Sequence, residues 1–187
     1  MAWYFYLIIV LVVLAVLFLL FSYNGLVRFR NQMKNAWAQI DVQLKRRHDL
    51  IPNLVETAKG YMTHERETFE AITNARNIAQ KAVGTGVGAQ SKAEGELSGV
   101  LSKLLMVVEN YPDLKANTNF LALQEELSST ENKIGFSRQY YNDSVMHYNN
   151  KTQMFPTNII AGMFGFKIGE FFEIEVAAER AVPKVSF

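Results

Sequence analysis

The chain has 187 residues, and its 19 lysines and arginines nearly balance its 18 aspartates and glutamates, which leaves a net charge of +1. There is no basic field that would attract nucleic acid and no acidic field for a basic partner, so nucleic acid is excluded as a predicted partner. The sequence contains no cysteine, which rules out a disulfide framework and a thiol nucleophile. This composition fits a reducing compartment, although it fits a periplasmic domain as well.

The N-terminal residues predict a membrane-spanning helix. No charged residue precedes Arg28, and Met1–Phe21 is apolar, aromatic or small throughout. As a helix this run extends ~30 Å, which matches the hydrocarbon core of a bilayer. Aromatic residues that prefer the headgroup level lie near both ends of the run, namely Trp3, Tyr4, Tyr6 and Tyr23. Residues 1–27 are therefore predicted to anchor the chain, and the lipid bilayer is its first predicted partner.

A cleaved signal peptide is the alternative interpretation of this segment. Such a peptide has a basic N-terminal region, a shorter apolar core and small residues at the cleavage site, whereas no basic residue precedes this core. Arg28, Arg30 and Lys34 follow the apolar run. Because basic residues favour the cytoplasmic side, we expect a single-pass protein of the inner membrane, with Met1 outside and the remaining chain in the cytoplasm.

The chain after the anchor predicts helices only. Its stretches between prolines are rich in Ala, Leu, Glu, Gln, Lys and Arg, which favour helix. Apolar rows with a spacing of three or four residues run over positions 33–44, 54–79 and 97–108. A long helix is expected from Thr118, as its N-cap, to about Gln153, with a heptad row at positions 120, 127, 134, 141, 148 and 155. The predicted fold class is all-α, with one transmembrane helix followed by an antiparallel up-and-down helical bundle over residues 28–154.

Pro52 leaves two interpretations open. A proline inside a helix removes a hydrogen bond and clashes with the preceding turn, and the cations before Pro52 are typical of a helix C-terminus. These features predict one helix ending near Leu50 and another beginning near Pro52, which gives four helices after the anchor. The apolar row nevertheless stays nearly in phase through Ile51, and no glycine or asparagine makes a turn. A single kinked helix is the alternative, and the four-helix interpretation is preferred.

The last part of the chain, residues 155–187, begins with an uncharged aromatic stretch. Such a stretch is better placed against the bundle, the membrane surface or a neighbouring subunit than in water. The residues predicted to contact lipid or another subunit are Phe155, Ile159, Ile160, Met163, Phe164, Phe166, Phe171 and Phe172.

Four blocks of sequence resemble the LemA family of bacterial membrane proteins. They are Gln43–Val55 (QLKRRHDLIPNLV), Val108–Ala116 (VENYPDLKA), Leu121–Leu127 (LALQEEL), and Phe155–Asn158 (FPTN) with Phe164–Phe166 (FGF). The resemblance implies a single N-terminal membrane helix and a helical-bundle domain, and the family carries no established enzymatic activity or cofactor. One departure from the family pattern is Phe136 with Ser137, where smaller residues are usual.

No catalytic, cofactor-binding or metal-ligating set is predicted. His64–Thr68 begins like the zinc-binding helix of metalloproteases, but Thr68 occupies the position of the second histidine. No histidine of the chain has a glutamate three residues before it, as a di-iron carboxylate bundle requires. The glycines at 84, 86 and 88 lack the rest of a nucleotide-binding loop and predict a flexible connection between helices. No serine lies in a nucleophile-elbow motif.

One charged block remains as a candidate interaction surface. It consists of Lys45, Arg46, Arg47, His48 and Asp49, directly before Pro52. These residues are either the solvated charges of a helix terminus or a docking surface for a protein partner.

The predicted function is that of a non-enzymatic, self-assembling scaffold or membrane-organising module, which we expect to be a homo-oligomer without a cofactor. The alternative is an adaptor in an envelope stress response or in membrane protein quality control, which would present the charged block to an unidentified protein partner. A hydrolase or metalloenzyme is disfavoured because the sequence supplies no ligand set.

Overall fold

The computed structural model describes residues 2–173, and within that range it contains α-helices and no β-strand. The helices are α1 (Ala2–Lys59), α2 (Arg66–Ala82), α3 (Val87–Val108), α4 (Pro112–Lys115), α5 (Thr118–Gln153) and α6 (Thr157–Met163). The all-α prediction is confirmed for this range. The antiparallel order of a four-helix bundle stays a prediction.

The packing divides the described chain into two compact units. The first unit combines the residues up to Gln39 with Ser137–Glu170, and the second combines Ile40–Phe136 with the chain from Phe171. The predicted boundaries at residues 27 and 154 follow composition rather than packing, and they stay predictions.

The second unit has an apolar core to which five helices contribute. Leu54 and Ala58 of α1 lie in one cluster with the apolar rows of α2 and α3, and those two helices pack against each other. The completely or nearly completely buried members include Ile72, Leu97, Leu104, Leu114 and Phe120. The predicted rows over 54–79 and 97–108 therefore face the core, except that Tyr61 is exposed. Burial of each large side chain stabilises the fold by about 1.5–3 kcal/mol.

The first unit is held together around the residues of α1 that follow the apolar run. Leu26 is fully buried against Ile160 and Ala161 of α6. The Trp37 and Tyr141 rings meet at 5.1 Å in an edge-on contact. Within this unit α6 and the α5 residues from Ser137 thus pack on the same helix that carries the predicted span.

The α1 helix continues through Pro52 without a break, so the predicted helix end near Leu50 is wrong. A proline at position 52 removes the amide that would donate to the carbonyl of His48, one turn earlier. In the structure the guanidinium of Arg76 on α2 replaces it, because Arg76 Nε donates to His48 O at 2.7 Å. Pro52 itself is exposed. A tertiary contact therefore supplies the hydrogen bond that the local sequence lacks.

The remaining connections follow local chemistry. The α2–α3 connection needs glycine, since Gly84 and Gly86 have φ values of +79° and +127°.

Helix α5 has the predicted bounds, but its cap is Asn117 rather than Thr118, because Asn117 Oδ1 accepts from Phe120 N at 3.0 Å. The heptad row of α5 is buried from Phe120 to Tyr148, whereas Phe155 lies beyond the helix and is exposed.

Candidate functional site

Four side chains from three helices of the second unit form a charged cluster. Arg47 and His48 of α1 and Glu94 of α3 are buried, and Glu131 of α5 is partly exposed. Arg47 is 1% exposed, and its Nη2 forms an ion pair with Glu94, which is buried to the same extent. Its Nη1 donates to Glu131 Oε1 at 2.6 Å and to Ser98 Oγ at 2.8 Å. One guanidinium thus connects α1 to α3 and α5. An isolated buried charge is very costly, so Arg47 can lie inside the fold because acids compensate it there.

His48 completes the cluster. Its Nε2 lies 3.0 Å from Glu94 Oε1, which is an ion-pair distance, but the two atoms are not aligned for a hydrogen bond. Burial acts to raise the pKa of Glu94, while the neighbouring His48 and the charge of Arg47 act to lower it, and the net result is a pKa below the ordinary value. Glu94 is therefore a carboxylate in the folded protein at neutral pH.

A cavity of about 390 Å³ lies beside His48. It is lined by Asp41, Leu44, Lys45, His48, Gln80, Val83 and Gln90. Gln90 Nε2 donates to Asp41 Oδ1 at 3.1 Å. Burial raises the pKa of Asp41, the Gln90 hydrogen bond lowers it and the charge of Glu94 raises it, so that the pKa lies above the ordinary value. The lining offers enough polar atoms to hold ordered water.

A second cavity, of about 710 Å³, lies at the connection between α1 and α2. Its wall includes the buried Met62 and Phe69 and the exposed Arg66, whose Nε donates to Glu70 Oε1 at 2.7 Å. Arg66 and Glu70 form an i, i+4 pair, and His64 lies in the turn before α2. Within residues 2–173, no group of three or more histidines, aspartates and glutamates is placed to hold a metal ion.

The structure separates the members of the predicted interaction surface. Lys45, Arg46 and Asp49 are exposed, and Arg46 forms an ion pair with Glu126 of α5. Arg47 and His48 are buried, so these two residues are not available to a docking partner, because they already bind Glu94 and Glu131. An interaction role for the three exposed residues stays a prediction.

The structure also divides the predicted lipid or subunit contacts. In the first unit, Phe155, Ile159, Met163 and Phe164 are at least half exposed, whereas Ile160 is buried and Phe166 is partly buried. In the second unit Phe172 is buried and Phe171 is exposed. Ile160 and Phe172 therefore serve the packing of the fold, while lipid or subunit contact by the exposed members stays a prediction.

Sequence reasoning missed Glu94, Ser98 and Glu131 as members of the cluster. The signal at Glu94 was its phase, because it lies three residues before Leu97 and seven before Leu101 on the buried row of α3. A charged residue in the phase of an apolar core requires a buried partner of opposite charge.

The sequence of this chain is similar to the sequences of several bacterial proteins. A sequence model of the LemA family matches residues 36–187. Protein LemA of Metamycoplasma hominis is 30% identical over 157 residues, which cover 81% of this chain and 70% of that protein. Two magnetosome proteins of Paramagnetospirillum magneticum, MamQ 1 and MamQ 2, are each 24% identical over 188 residues, which cover 88% of this chain and 69% of each relative.

The N-terminal helix and these relatives together indicate a membrane protein. Within the described residues, α1 is the one helix long and apolar enough to cross a bilayer. Its side chains from Trp3 to Val16 are exposed on every side of the helix, as expected where lipid is the solvent. Neither the family nor these relatives carry the name of an enzyme.

Proposed function

The chain belongs to the LemA family, and from that premise we propose that it is a non-enzymatic, single-pass membrane protein whose copies assemble into a scaffold that organises the membrane around them. The basic residues Arg28, Arg30 and Lys34 after the span support an inner-membrane protein with its N-terminus outside and its helical domain in the cytoplasm. The match to LemA and MamQ proteins supports the membrane association.

The span favours assembly by confining all copies to one surface. Copies held in a plane meet at a much higher effective concentration than free copies do, so a weak contact is sufficient. The heptad row of α5 does not supply that contact, since its members Phe120, Leu127, Ile134, Tyr141 and Tyr148 are buried within the chain itself. Self-association must therefore use another face.

The observation that carries the proposal is the exposure of Phe136 on α5. It is 73% exposed, which is the largest exposed fraction among the large apolar side chains described in the second unit. Phenylalanine is enriched in protein interfaces, and truncating a buried aromatic anchor typically costs far more binding energy than truncating its neighbours. We assign Phe136 to the contact between copies.

The test is the mass of the full-length protein in discs of native membrane and in mild detergent. We expect a defined oligomer for the wild type and a shift toward the monomer for Phe136→Ser. Met106→Ser is the matched control, since Met106 is 65% exposed in the same unit, and it should leave the oligomer unchanged. A wild-type monomer in both media would contradict the proposal.

The alternative of an adaptor is favoured by one feature, the exposure of Lys45 and Asp49 beside the buried part of the charged cluster. Arg47 fixes this face of α1 through its ion pairs with Glu94 and Glu131, so the exposed charges are held in a defined geometry. The monomeric result in the experiment above would shift the assignment to this alternative.

A further inference from the structure

The chain between Lys151 and Lys167 contains no charged residue. This uncharged stretch, residues 152–166, includes the end of α5, the whole of α6 and the aromatic turn that follows. Its position relative to the bilayer can be obtained from its contacts with α1, since the residues of α1 up to Gln39 lie in the same unit.

The uncharged stretch packs on α1 where the apolar run ends. Ile160 and Ala161 contact the cluster of Leu19, Tyr23 and Leu26. The ring of Phe164 lies 4.9 Å from that of Tyr23 in an edge-on arrangement. The contacts thus begin within the apolar run and continue just past it.

The next contact marks the polar side of this boundary. The guanidinium of Arg30, one of the first cations after the span, lies 5.0 Å from the ring centroid of Phe166. The uncharged stretch therefore lies beside α1 between the last lipid-facing residues and the first cations. In a spanning helix that interval is the boundary between acyl chains and headgroups.

Four apolar side chains of this stretch remain exposed although the stretch packs on α1. Phe155 is 79% exposed and Met163 is 70% exposed, and Ile159 and Phe164 are each at least half exposed. On the same face of α1 as Leu19 and Tyr23, the preceding side chains Val12 and Val16 are apolar and 57% and 52% exposed. The exposed apolar surface of the span therefore continues onto the uncharged stretch.

We propose that the uncharged stretch is a second membrane contact, in which Phe155, Ile159, Met163 and Phe164 enter the acyl–headgroup boundary of the leaflet from which α1 emerges. A short apolar helix with aromatic neighbours is suited to this depth. Lys151 and Lys167 flank the stretch, where long cationic side chains can reach lipid phosphates. Lipid is favoured over a second copy because this surface is continuous with one that lipid already covers.

The absence of cysteine allows one nitroxide label to be placed at a chosen position of the full-length protein. Met163→Cys labels the proposed contact, and Met146→Cys is the control, since Met146 is an exposed methionine of α5 in the same unit. Val16→Cys in the apolar run is the reference for a lipid-facing side chain. The protein is reconstituted in vesicles of equal parts phosphatidylethanolamine and phosphatidylglycerol, and the collision rates of each label with oxygen and with a water-soluble nickel complex are measured.

We expect the oxygen-to-nickel collision ratio at position 163 to exceed the ratio at position 146 several-fold and to approach the ratio at position 16. Equal ratios at 163 and 146 would overturn the proposal. Exclusion of both reagents from position 163, with spin–spin broadening that disappears on dilution with unlabelled protein, would overturn it in favour of a contact between copies. The measurement does not depend on the proposed assembly through Phe136, because a monomer and an oligomer give the same depth if the proposal is right.

Discussion

Arg47 shows how one side chain determines the chemistry of its surroundings. A guanidinium that is 1% exposed requires carboxylates, and the two that reach it come from different helices, Glu94 of α3 and Glu131 of α5. Removing one partner of such a buried pair leaves the other charge without compensation, which is more costly than never having built the pair. The cluster therefore specifies how α1, α3 and α5 meet within the second unit.

Glu94→Gln tests this cluster and its pH dependence. We expect the variant to lose about 3–5 kcal/mol of unfolding free energy at pH 7, because Arg47 then lacks its most buried counter-charge. The pKa of Glu94 is lowered in the folded protein from an ordinary value near 4.5. Its ionisation therefore stabilises the fold above that ordinary value, and the stabilisation is lost as the pH falls through the lowered folded-state pKa. The measurement is urea unfolding of the full-length protein in detergent, followed by circular dichroism at pH 7 and in acid.

The matched control is Glu70→Gln, which removes an exposed carboxylate paired with Arg66. It should leave the free energy of unfolding close to that of the wild type, since exposed pairs are screened by water and salt. A difference between Glu94→Gln and wild type that persists unchanged in acid would contradict the role assigned to the Glu94 charge.

At the scale of elements, the helices with regular apolar rows were predictable and the course of α1 at Pro52 was not. The rows of α2, α3 and α5 are local, so their phase alone determines which faces are buried. The hydrogen bond that Pro52 removes is also local. The bond that replaces it is not local, because Arg76 lies 28 residues from His48 in sequence. The burial of Arg47 had the same cause, since its partner Glu94 is 47 residues away. Sequence reasoning placed Arg47 among exposed charges because its partner becomes a neighbour only in the folded chain.

The link between Pro52 and Arg76 predicts a coupling between two substitutions. Arg76→Met should cost about 1–3 kcal/mol, since it leaves the His48 carbonyl without a donor. In a Pro52→Ala background the amide of residue 52 can donate to that carbonyl, so the same substitution should cost less. A double-mutant cycle measured by urea unfolding gives the coupling energy. Additive effects of the two substitutions would show that Arg76 does not replace the missing amide.

At the scale of the whole molecule, the chain combines a helix segment that is exposed to lipid with a unit that has its own apolar core. Both environments act on α1, whose side chains from Trp3 to Phe18 are exposed, whereas Ile40, Leu44, Ile51 and Leu54 on the same helix are buried. The period of the apolar residues changes accordingly, from a run that is apolar on all sides to a row with a spacing of three or four. This change could be predicted from the sequence, because lipid and water each favour a different pattern of apolar residues along a helix.

The transmembrane orientation of the chain can be tested directly. The cations Arg28, Arg30 and Lys34 follow the span, and none precedes it, so the proposed topology has the N-terminus outside and the helical domain in the cytoplasm. In intact cells, an impermeant maleimide should label Trp3→Cys, whereas Lys133→Cys, an exposed position of α5, should react only after the membrane is opened. Replacing the three cations with glutamine removes the charge bias, so we expect both single-cysteine positions to be labelled in part of the population. Labelling of Lys133→Cys from outside in the otherwise unchanged protein would reverse the proposed topology. The helical domain would then face the periplasm, and its cysteine-free composition is also compatible with that compartment.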